Sequence, residues 1–84
     1  MSKKVRYNVD VDGDLDGRIK GMMDLTDART KAEIFNYAFS FYDWALREIA
    51  EGRRIASVGP KGEMTRVEMP PFGNVRSKKS REKE

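Results

Sequence analysis

The sequence predicts a small α+β domain that dimerises: one strand, two helices, a C-terminal β-hairpin and a disordered tail. Three observations carry that expectation. Residues 4–11 alternate apolar and polar with period two, and residues 14–26 and 31–51 carry helical periodicity. The second of these helices is also apolar over more of its circumference than one short neighbour in the same chain can cover.

The strand reads Lys-Val-Arg-Tyr-Asn-Val-Asp-Val, with Val5, Tyr7, Val9 and Val11 on one face and Lys4, Arg6, Asn8 and Asp10 on the other. No second strand follows within hairpin distance. An isolated strand cannot satisfy its own backbone groups, so a partner is expected from a second copy. Asp12-Gly13-Asp14 is turn and N-cap chemistry. The first helix places Leu15, Ile19, Met22, Met23 and Leu25 on one side. Gly17 and Gly21 weaken it by about 1 kcal/mol each relative to alanine, so it should form only when packed.

Asp27-Ala28-Arg29 is a turn. Thr30-Lys31-Ala32-Glu33 has the pattern of a capping box, with a hydroxyl at the cap and a carboxylate three residues on. The second helix follows. Glu33, Asn36, Ser40, Asp43 and Arg47 make one narrow polar stripe, and apart from Glu48 the stretch from Ile34 to Ile49 is otherwise apolar. Gly52 is the expected C′ residue. Residues 54–58 and 64–69 then read as a hairpin about Gly59-Pro60-Lys61-Gly62, stopped by Pro70-Pro71. From Gly73 onward Val75 is the only apolar side chain, so residues 70–84 are expected to be disordered.

Composition excludes several functions. An 84-residue chain with no cysteine and no histidine has no disulfides, no thiolate or imidazole metal ligand and no usual neutral-pH acid/base. At this size a single core is marginal, so oligomerisation is the support that remains. No apolar stretch is long enough for a bilayer, and Met-Ser-Lys-Lys does not lead into a secretory segment. The expectation is a cytoplasmic, non-enzymatic protein without a cofactor.

The formal charge of +3 lies entirely in residues 70–84, where five Lys/Arg (Arg76, Lys78, Lys79, Arg81, Lys83) face Glu82 and Glu84. Residues 1–69 carry twelve basic and twelve acidic groups, so the body cannot hold nucleic acid by bulk charge and would have to use local clusters. Two exist, Lys3/Lys4/Arg6 and Arg29/Lys31, with Asp10, Asp12, Asp14 and Asp16 between them. Asn8-x-Asp10-x-Asp12-Gly13-Asp14-Leu15-Asp16 follows the start of a calcium loop. Its twelfth position, which should be a bidentate glutamate, is Ile19, and no metal is expected.

Strand, helix, capped turn and apolar helix together resemble the ribbon-helix-helix family of DNA-binding proteins over residues 3–52. The most specific stretch is Ala28-Arg29-Thr30-Lys31-Ala32-Glu33-Ile34-Phe35-Asn36-Tyr37-Ala38-Phe39, followed by Tyr42-Asp43-Trp44. The resemblance implies a β-α-α intertwined homodimer in which two N-terminal strands pair antiparallel and enter the DNA major groove. Residues 1–52 would be the DNA-binding and dimerisation domain, 53–69 a hairpin extension and 70–84 a basic tail.

On that pattern Arg6, Asn8 and Asp10 are the base-reading candidates. Arginine can bond guanine O6/N7, asparagine adenine N6/N7, and a carboxylate can accept from cytosine N4. Lys4 is expected on phosphate. Arg29, Thr30, Lys31 and Ala32 are expected to hold a second phosphate, where the free amides and the dipole of the second helix favour an anion. Tyr7, Val9, Val11, Ile34, Ala38, Phe41, Tyr42 and Ala45 are the expected dimer core. The function implied is a homodimeric transcriptional repressor. Two alternatives stand beside it: the antitoxin of a toxin–antitoxin pair, with a protein partner on residues 53–84, and a dimerisation or adaptor module without a DNA role.

Overall fold

The computed structural model describes residues 3–82. Five elements follow in the order α1 (Gly13–Thr26), α2 (Lys31–Ala50), β1 (Ala56–Val58), β2 (Met64–Arg66) and α3 (Pro70–Glu82). The chain divides into two compact units, Met1–Asn36 and Tyr37–Glu84, with α2 continuing from one into the other.

In the first unit, local chemistry sets the helix ends. The Asp12 carboxylate accepts the Leu15 amide at 2.8 Å, so α1 starts at Gly13, with Asp14 and Asp16 in its first turn where the dipole favours them. Asp16 also pairs with Lys20 one turn on, at 3.1 Å. Ile19 is buried, while Leu15 and Leu25 stay exposed. A Cβ added at Gly17 or Gly21 would meet nothing within 4 Å, so these glycines mark no close helix contact in the single chain. At the C-terminus of α1 Asp27 takes a left-handed conformation, φ 58°, and its amide bonds the Met23 carbonyl.

The Thr30 hydroxyl accepts the Glu33 amide at 3.2 Å, as a capping box requires. The Glu33 carboxylate reaches one residue further back than expected, to the Arg29 amide at 3.0 Å. At its other end α2 closes in a Schellman motif. Gly52, at φ 88°, donates to the Ile49 carbonyl (3.0 Å), and the Arg53 amide donates to the Glu48 carbonyl (2.9 Å).

In the second unit β1 and β2 pair antiparallel with Ala56↔Arg66, Ser57↔Thr65 and Val58↔Met64 in register. The strands are shorter than the sequence predicts, and one further bond from the Val67 amide to the Ile55 carbonyl (2.9 Å) extends them. All six strand residues are exposed, so the hairpin holds by its ladder and turn rather than by a buried face. The core of this unit is Ala45, Ile49 and Phe72, with Leu46, Ile55 and Val75 half-buried around it.

Two expectations are corrected here. The order is α-α-β-β-α, not β-α-α followed by a hairpin. Residues 4–11 form no strand, because a ladder needs a second segment to bond to and the only sheet among the described residues is β1–β2. Nor are residues 70–82 a disordered tail: they are α3. Pro70 and Pro71 stand in its first turn, where a missing N–H costs nothing. Phe72 then anchors the helix on Ala45 and Ile49, and the Arg76 guanidinium grips the Glu68 carboxylate through two bonds of 2.9 and 3.2 Å. The polar run that suggests disorder begins at Gly73, one residue beyond the aromatic that docks the segment. Lys83, counted with the basic tail, lies outside the described residues.

Candidate nucleic-acid interface

The base-reading candidates Arg6, Asn8 and Asp10, and the phosphate candidate Lys4, are all exposed in the segment before α1. So is the face meant to lie beneath them. Tyr7 is 82 % and Val9 64 % accessible, so alternation sorts the side chains by type but not by burial in the single chain. Four consecutive odd positions, from Val5 to Val11, thus present apolar groups to water.

The start of α2 brings Arg29, Thr30, Lys31 and Ala32 together, all exposed. Thr30 is committed to the Glu33 amide, which leaves the first amides of the helix among those with no intrahelical partner. Lys31 Nζ lies 3.2 Å from Asp16, which also holds Lys20 at 3.1 Å. Hydrogen bonds from Lys20 first and Lys31 second hold the Asp16 carboxyl below its ordinary pKa. A phosphate arriving at this helix start must therefore compete with Asp16 for Lys31. The Asp16–Lys20 half of this cluster is legible as an (i, i+4) pair; the Lys31 half joins residues fifteen apart and has no signal in the sequence.

Of the dimer-core candidates on α2, Ile34 is half-buried, and Ala38, Phe41 and Tyr42 are exposed. Phe41 packs on Trp44 with ring centroids 5.5 Å apart. Ala45 is already covered inside the chain by the Phe72 cluster. The C-terminal half of α2 thus has its own cover, and the exposed apolar surface gathers earlier on the helix, at Tyr37, Phe39 and Phe41 (75, 63 and 62 % accessible).

Beside the hairpin, Glu68, Met69, Pro70, Gly73 and Arg76 line a surface depression of about 330 Å³. Its carboxylate and guanidinium are paired with each other, and Arg76 is the main reason the Glu68 carboxyl lies below its ordinary pKa. Among the described residues no group of three or more acidic, histidine or cysteine side chains is placed to hold a metal ion, and no helix is long and apolar enough to cross a membrane. Comparison with family models, curated proteins and solved structures finds no match for this chain.

Proposed function

We propose that this chain binds double-stranded DNA as a homodimer and acts as a transcriptional repressor. Residues 4–11 of two copies pair with one another and present Arg6 and Asn8 to base edges in the major groove. The start of α2 takes a backbone phosphate. The observation that carries this reading is the segment 4–11 itself: it alternates apolar and polar side chains, it has no ladder partner among the described residues, and it leaves Tyr7 and Val9 exposed. A second copy supplies both missing elements at once, the hydrogen-bond partner and the cover for the apolar face. The likeness of residues 3–52 to ribbon-helix-helix proteins supports the assignment of roles.

Selection from a random duplex pool, followed by competition binding on four variants, tests the reading. Arg6→Ala and Asn8→Ala should each cost roughly 1–3 kcal/mol at the selected site while leaving sedimentation at twice the chain mass. Lys31→Ala should weaken selected and random duplexes by a similar factor. Tyr7→Ala should dissociate the dimer. If Arg6→Ala and Asn8→Ala keep full discrimination, or the wild-type chain sediments as a folded monomer at micromolar concentration, the reading is wrong.

A further inference from the structure

The helical state of residues 70–82 gives the basic C-terminal segment a geometry. Phe72 and Val75 turn toward the core of the second unit, Phe72 2 % exposed and Val75 half-buried. At 100° per residue, Asn74, Lys78 and Arg81 fall on a single line about 120° round the helix from those two anchors. All three are exposed. Their spacing of four and then three residues makes the line about 10 Å long at 1.5 Å per residue.

The four cations of α3 do not share one environment. Arg76 is tied to Glu68 at 2.9 Å and Lys79 to Glu82 at 3.3 Å. Among the described residues Lys78 and Arg81 have no ion-pair partner. Those two, with the Asn74 amide between them and the anchored end, are the groups left to meet an external anion. They also lie in the part of the chain that carries its whole net charge, since residues 1–69 balance to zero.

We propose that this face of α3 is a second DNA contact, a stripe in which Asn74, Lys78 and Arg81 follow the phosphates of one strand of the duplex. The assignment rests on the duplex-binding reading above and deepens it. Successive phosphates of one strand wind around the axis, so they stand further apart in space than the roughly 3.4 Å that separates them along it, and a line of donors about 10 Å long reaches about two of them. Arginine offers a planar fork for phosphate oxygens, lysine a point charge and asparagine a neutral donor. None of these groups on a uniform backbone distinguishes one base sequence from another. An anionic lipid surface is the poorer fit, because a helix lying on a membrane must offer it an apolar face. In α3 the two apolar anchors are taken up by the core.

The test compares the wild-type protein with Lys78→Gln/Arg81→Gln, substitutions that keep helix propensity. A charge-matched control, Arg54→Gln/Lys61→Gln, removes two cations from the hairpin region. Affinity is measured against salt concentration on a selected duplex, a scrambled duplex and vesicles rich in phosphatidylserine, with circular dichroism to confirm that α3 persists. The stripe variant should bind both duplexes more weakly by the same factor. Its log–log salt slope should flatten by about 0.9 for each phosphate no longer neutralised, or about 1.8 per chain, while the control keeps its slope. Equal flattening by the control would reduce the effect to bulk charge and overturn the proposal. A loss confined to the selected duplex would mean that α3 reads bases, and a loss seen only on vesicles would make the stripe a lipid surface; either result overturns it. If the wild-type protein binds neither duplex, the functional reading falls together with this one. Binding that the stripe variant leaves unchanged removes this proposal alone.

Discussion

Truncating Phe72 to alanine probes how the second unit holds together. Its ring is 2 % exposed and rests on Ala45 and Ile49, with Leu46, Ile55 and Val75 around it. Phenylalanine-to-alanine changes at buried sites cost about 3–5 kcal/mol, the smaller values applying where the surroundings can collapse into the space. A core of only three buried residues collapses easily, so about 3 kcal/mol is the expected loss. At roughly 0.05–0.15 kcal/mol per residue an 84-residue chain has only about 4–13 kcal/mol in all. Each kcal/mol moves the melting temperature of a domain this size by about 4–8 °C, so Phe72→Ala should melt about 12–24 °C lower.

The loss should also be local. Without the ring α3 keeps only Val75 and the exposed Glu68–Arg76 pair, and exposed pairs contribute little. Because α3 has 13 residues against 14 in α1 and 20 in α2, its release removes over a quarter of the helical signal even below the melt. Far-ultraviolet circular dichroism, recorded as a spectrum at low temperature and then as a melt, reads both effects. A variant with wild-type ellipticity and a midpoint within a few degrees of wild type would refute the claim that Phe72 docks this helix.

Gly52→Ala places a side chain at φ 88°, where no neighbouring atom lies within 4 Å, so the cost should be the left-handed backbone alone, about 1–2 kcal/mol, read as a lower melting temperature. Acid should weaken the fold through Asp16 and Glu68, both held below their ordinary pKa, by Lys20 and Lys31 in one case and chiefly by Arg76 in the other. A depressed folded-state pKa adds stability that is present above the unfolded value and is lost as pH falls through the folded one. The melting temperature should therefore decline from about pH 4 downward, and Asp16→Asn/Glu68→Gln should show a shallower decline over the same range; parallel acid limbs in the two proteins would count against both pairings.

Helix ends were legible in the sequence because the groups that make them are neighbours. Asp12 caps α1, Thr30 caps α2 and Gly52 closes it, each through bonds to residues at most four positions away. The hairpin about residues 59–62 was legible for the same reason: the Gly62 amide bonds the Gly59 carbonyl, and Gly62 takes the positive φ the turn needs. Glu33 was legible as a capping carboxylate but not in its partner, since its flexible side chain takes the Arg29 amide, one residue before the cap.

What only the tertiary structure decided are the contacts between residues far apart in the chain. Phe72 sits more than twenty residues beyond Ala45 and Ile49, and nothing in the polar run after it signals that one aromatic and one valine, with the Arg76–Glu68 pair, anchor thirteen residues. The Asp16–Lys31 bond joins two helices whose separate patterns do not specify it. The segment 4–11 marks the opposite limit. Its alternation states which side chains belong on a common face, but a strand exists only as half of a hydrogen-bonded pair. Among the described residues no segment forms a ladder with it, so the pattern is present and the strand is not.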